Sequence, residues 1–167
     1  MTADDRPSVL GGAIRGAIAG AVATWLMDRM TTGLVEEQSE VDKAREAAAQ
    51  PNGQSSVANL LDRAQEATGL SLRPGQKAVA AQAVHYGLGV VPGAVYGALR
   101  SRLPFVAAGG GLLYGMLLFA LNDEVMNTEL GLAGPYDAYP LSSHLRGAVG
   151  HAVLGVATDR GVALLGG

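Results

Sequence analysis

Four apolar segments, at 8–30, 76–99, 105–121 and 141–159, alternate with polar stretches, and each carries tiny or polar residues at every fourth position. The first stripe is Gly12, Gly16, Gly20, Thr24 and Asp28, and the second is Ala81, His85, Gly89, Gly93 and Gly97. The third is Gly111 and Gly115, and the fourth is Ser143, Gly147, His151, Gly155 and Asp159. On a helix a spacing of four keeps such positions on one face. Glycine there costs a helix in water about 1 kcal/mol relative to alanine, so repeated glycine faces need a reason. Close approach of helices inside a membrane supplies one, because small residues rather than apolar bulk make the contact in lipid. The pattern predicts an all-α integral membrane protein with four transmembrane helices. The third segment is near the shortest that crosses a bilayer, about 17 residues.

Residues 31–75 form a polar insert between the first two spans. Its charge density over 34–50 predicts an exposed helix, stopped by Pro51, Asn52 and Gly53. Val57, Leu60, Leu61 and Ala64 recur at helical spacing, which predicts a second, amphipathic helix on the membrane surface or on the end of the bundle. The turn-rich loop 131–140 is expected to fold back as a cap. Pro92, between Gly89 and Gly93, predicts a kink in the second span. Trp25, Tyr86, Tyr96, Tyr114, Tyr136 and Tyr139 read as anchors at the membrane interface.

The 167 residues suit a single membrane domain. Charged residues make up 16%, below the roughly 25% of soluble domains. Mean hydropathy is only +0.21 because the polar insert dilutes the spans. Cysteine is absent, which excludes thiolate chemistry and Cys-ligated metal. A net charge of -3 without a basic cluster argues against nucleic acid as a partner. The first apolar run follows no basic region and reads as a retained span rather than a signal peptide. Lys and Arg are absent between 122 and 141, whereas Arg100 and Arg102 sit in a short connection. With Arg6, Arg15 and Arg160 at the same end, this predicts cytoplasmic termini.

Two local signatures recur in order. The sequence GGAIRG at 11–16 resembles GGLLYG at 110–115, and HYGLGV at 85–90 resembles HAVLGV at 151–156. This predicts a duplicated helical hairpin, with His85 and His151 at matching depths. An ionisable residue within an apolar span is costly and faces the bundle interior. Two imidazoles, each followed four residues later by glycine, suit a flat ligand such as haem b. They equally suit hydrogen bonds between tightly crossing helices. Asp28, Asp123 and Glu124 are expected near one end of the bundle with His144, a donor set suited to a divalent cation. Arg29, Arg146 and water would satisfy the same carboxylates without any metal.

From residue 85 onward the chain resembles the YagU-like family of small bacterial inner-membrane proteins. The resemblance rests on HYGLGVVPGAVYG from His85, GGGLLYGMLLF from Gly109, and the Gly150–His151 pair. It implies bacterial inner-membrane placement, a four-helix fold and a role in acid tolerance, and it supplies no catalytic residues. The expected function is a non-enzymatic packing or interaction module in the bilayer, with itself or another membrane protein as partner. A membrane haem or metal carrier and a small transporter or proton-conducting bundle are the alternatives.

Overall fold

Ser8 opens the first helix by accepting a hydrogen bond from the Gly11 backbone N–H at 3.0 Å, and α1 then runs Val9–Glu36. The computed structural model describes residues 8–166, so Arg6 lies outside the described residues. Ser39 caps α2 (Glu40–Ala49) and Ser55 caps α3 (Ser56–Thr68) in the same way, each supplying an acceptor that the first turn of a helix otherwise lacks. Between them Asn52 and Gly53 adopt left-handed backbone, so the chain turns where Pro51 stops α2. Within 31–75 the chain forms α2 and α3, but α1 runs on to Glu36, past the expected end of the first span, so the first helix of the insert starts only at Glu40.

Pro74 starts α4 (Pro74–Arg100), which runs unbroken through Pro92. The third long helix departs from its expected limits. A short turn of 3₁₀ helix spans Pro104–Ala107, and Gly109, Gly110 and Gly111 all have positive φ, between 63° and 90°. Three consecutive left-handed residues cannot belong to a right-handed helix, so α5 begins only at Leu112. It runs Leu112–Leu118, widens into a π-helical stretch over Phe119–Met126, and ends with one turn at Asn127–Glu129. The last helix, α6, is Leu141–Leu164. Among the described residues the chain is all-helical, with no strand.

Backbone contact at glycine sets the packing. A Cβ built on Gly12, Gly16 or Gly20 of α1 would overlap the carbonyl oxygen of Gly97, Gly93 or Gly89 of α4, respectively. The rising and falling numbers show that α1 and α4 are antiparallel. A second pair closes likewise, with Gly111 against the Gly155 carbonyl and Gly115 against the His151 carbonyl. The matching motifs do not keep one register, since Gly16 meets Gly93, about two turns beyond His85, whereas Gly115 meets His151 itself. Across the pairs, Gly150 of α6 lies against Met27 and Thr31 of α1, and Gly161 lies against Ala19. The rings of Tyr96 and Tyr114, 4.6 Å apart, bring α4 to α5.

Tyr96, Leu154 and Val162 are buried, but the interior is otherwise made largely of small and polar residues. Ala19, Ala23, Thr24, His151, Thr158 and Asp159 are buried. Large apolar residues face outward along each long helix, including Leu10 (71% exposed), Val91 (64%), Leu121 (56%) and Leu145 (56%). Two helices, α1 and α4, are long and apolar enough to cross a membrane, and only 33% and 11% of their apolar windows are buried. The other two are less apolar. Asn122, Asp123 and Glu124 interrupt α5, and His144, Arg146, His151, Asp159 and Arg160 dilute α6.

The insert docks on one end of these helices. Arg146 grips Glu46 through both terminal nitrogens, at 2.6 and 3.0 Å, and the Ser143 hydroxyl donates to the same carboxylate at 2.5 Å. Burial alone would raise the Glu46 carboxyl, but the hydrogen bonds from Arg146 and Ser143 outweigh it and hold Glu46 below its ordinary value. Arg45 donates to the carbonyls of Asp137 and Ala138, and Asn59 donates to the Leu132 carbonyl. The loop 131–140 thus folds back and is held by α2 and α3. Tyr96, expected at an interface, is instead 1% exposed in the interior.

Candidate functional site

All three histidines face carboxylates, and all lie toward the end that the insert covers. His85 on α4 meets Asp28 on α1, with Nε2 2.7 Å from Oδ1. His144 at the start of α6 meets Glu124 of the π-helical stretch, with Nδ1 2.8 Å from Oε1. Its ring stacks on Tyr136 at 4.1 Å, and its Nε2 lies 3.1 Å from the Tyr136 carbonyl. His151, only 6% exposed, places Nδ1 3.1 Å from the Gly147 carbonyl and 3.6 Å from Asp123.

These contacts fix one donor nitrogen on each of two rings. A carbonyl oxygen only accepts, so Nδ1 of His151 donates to Gly147. An ionised carboxylate also only accepts, so Nε2 of His85 donates to Asp28. Gly147 contributes by its size. A Cβ there would press on the Phe119 ring and approach Asp123, narrowing the space around both.

Two adjoining cavities hold these groups. The inner one, about 420 Å³, lies between α1, α4, α5 and α6 under α3, and its walls include His85, Asp123 and His151. The outer one, about 520 Å³, reaches Glu124, Tyr136, His144 and Arg146 beneath the insert. Met27, His85, Asp123 and Asn127 border both. Pro92 lines the inner cavity, and α4 continues through it. No family model, curated protein or solved structure matches the chain.

The expected residues therefore gather at one end, but as pairs. Asp28 goes to His85, Glu124 to His144 and Asp123 to His151. Among the described residues no three His, Asp or Glu converge as a metal-ligand group. For haem, the ring nitrogens left open are Nδ1 of His85 and Nε2 of His151, so gripping iron through Nε2 of His85 would break its bond to Asp28.

A second polar group, which the sequence reading missed, closes the opposite end. Asp159, 5% exposed, accepts from the Tyr96 hydroxyl at 2.5 Å and from Arg100 Nε at 2.6 Å. The hydroxyl of neighbouring Tyr114 is buried without a hydrogen-bond partner among the described residues. The available signal was the stripe itself: Asp159 continues the line His151, Gly155, which marks it as facing a neighbouring helix.

Proposed function

We propose that the chain is a small multi-pass protein of the bacterial inner membrane, a non-enzymatic four-helix bundle that works by packing and interaction. One observation carries this reading. Many large apolar side chains point outward on all four long helices, while the helix contacts are made largely by glycine, alanine and polar groups, with Tyr96, Leu154 and Val162 among the few large residues buried. In water this arrangement would leave large apolar side chains exposed along every long helix. In lipid it is the favourable arrangement, since tails solvate leucine and valine and helices associate through small residues. The glycine lines of α1 with α4, and of α5 with α6, act as glycine zippers that define two hairpin units. Each unit pairs one histidine with an aspartate.

The resemblance to YagU-like proteins agrees with this placement and links the module to envelope or acid stress. The termini face the cytoplasm, and the docked insert caps the other side. The bilayer is the first partner, and the exposed apolar faces leave room for a second copy or another membrane protein. Expressed in bacteria, the chain should stay in the membrane pellet through alkaline carbonate washing and come into solution only with detergent. Recovery in the carbonate supernatant would rule the reading out.

A further inference from the structure

Most polar groups in the wall of the inner cavity already have partners within the protein. Thr24 donates to the Gly20 carbonyl and Asn122 to Asp123, while His85 faces Asp28 and His151 faces Gly147. Ser56 and Asn127 sit on the rim shared with the outer cavity. The rest of the wall is mainly apolar, with Leu88 and Pro92 on α4, Leu118 and Met126 on the third long helix, and Leu154 on α6. Wall atoms that face empty space forfeit their dispersion contacts, so a space of about 420 Å³ lined in this way favours an apolar guest. Leu88 and Met126 are also 42% and 51% exposed, so the cavity is open on the side between α4 and α5. Those helices meet nearer the opposite end, through Tyr96 and Tyr114. Along α4 the lining runs from His85 to Pro92, a rise of about 10 Å.

We propose that this cavity takes one acyl chain of a bilayer phospholipid, which enters between α4 and α5 past Leu88 and Met126 and keeps its ester end at the rim near Ser56 and Asn127. The inference rests on the membrane placement proposed above, which sets the open side against lipid tails and the outer cavity at the level of the headgroups. A free fatty acid fits less well. The outer cavity holds Glu46, Asp123 and Glu124, and Arg146, its one lysine or arginine, is engaged by Glu46 through both terminal nitrogens. No lysine or arginine is left there to meet a fatty-acid carboxylate. A phospholipid ester needs none, because its carbonyls only accept hydrogen bonds, and serine and asparagine side chains can donate them.

The test uses the full chain in phosphatidylcholine vesicles doped with a phosphatidylcholine that carries a diazirine in mid-chain. After irradiation, tandem mass spectrometry maps the labelled residues. Val91, outside the cavity and 64% exposed, reports bulk lipid. Thr24 and Leu154, 2% and 4% exposed, line the cavity and are out of reach of bulk lipid. All three should be labelled in the original protein. Leu118→Trp, which fills the cavity, should lose the label at Thr24 and Leu154 and keep it at Val91. Leu117→Trp adds the same bulk at an outward position, 51% exposed, and should keep all three. Label at Val91 with none at Thr24 or Leu154 would overturn the proposal and leave the membrane placement standing. So would label at Leu154 from a diazirine fatty acid but not from the phosphatidylcholine, or label at Leu154 that survives Leu118→Trp with helical content unchanged. No label at Val91 would instead remove the membrane placement, and this inference with it. The map of the original protein decides the question even if Leu118→Trp fails to fold.

Discussion

Gly16→Leu should destabilise the folded chain by about 3 kcal/mol or more, and the thermal midpoint in detergent should fall well below that of the unsubstituted protein. A Cβ on Gly16 would overlap the Gly93 carbonyl oxygen and stand 2.9 Å from both the Gly93 carbonyl carbon and the Gly97 nitrogen. Those are backbone atoms, so no rotamer change relieves the clash. The whole of α1 must lift from α4, and the contacts at Gly12–Gly97 and Gly20–Gly89 open with it. Ile18→Ala is the matched comparison. Ile18 lies two residues further along the same helix and is 52% exposed, so it faces away from the zipper. Removing its side chain should change stability by less than about 0.5 kcal/mol. Circular dichroism melts of the two variants in one detergent check the contrast. Equal midpoints would mean that the glycine contact does not hold the pair together.

Asp159→Ala should rank close behind. It removes the acceptor for both the Tyr96 hydroxyl and Arg100 Nε, in a place where Tyr96 is 1% exposed. A buried charge stripped of its partner typically costs about 3–5 kcal/mol. Arg100 keeps 23% of its side chain exposed, so the lower end of that range applies. Asp159→Asn keeps an oxygen for Tyr96 but loses the charge, and it should fall between the original protein and the alanine variant. A graded series of melting midpoints is the expected result. Alanine and asparagine variants that both melt with the original protein would show that the cluster contributes no stability.

Much of the fold is legible in the sequence because its signals are local. Spacing of four locates the packing faces, Ser39 and Ser55 mark helix starts, and Pro51–Asn52–Gly53 marks a stop. The start of α5 was misplaced because Pro104 and the apolar run after it look like a span. The three glycines at 109–111 read as stripe members, whereas their left-handed backbone is what delays the helix. Tyr96 was misjudged for a related reason. Tyrosine is common at membrane interfaces, and only the approach of α6 supplies an acid that lets its hydroxyl be buried. The pairing of each histidine with a carboxylate depends on which helices touch, over separations of 57 residues for Asp28 with His85. The docking of the insert joins side chains to the backbone of a loop some 70–90 residues away, and no periodicity encodes that.

The central claim is that the outward apolar faces meet lipid, and spin-label accessibility in phosphatidylcholine vesicles tests it most directly. Labels at Val91, 64% exposed on the outer face of α4, and at Val41, 77% exposed on the insert, have similar freedom in the fold but different surroundings. Oxygen concentrates in the bilayer, whereas a hydrophilic nickel chelate is excluded from it. The account predicts that oxygen relaxes the Val91 label far more than nickel does, and that the order reverses at Val41. Nickel reaching Val91 as readily as Val41 would contradict it.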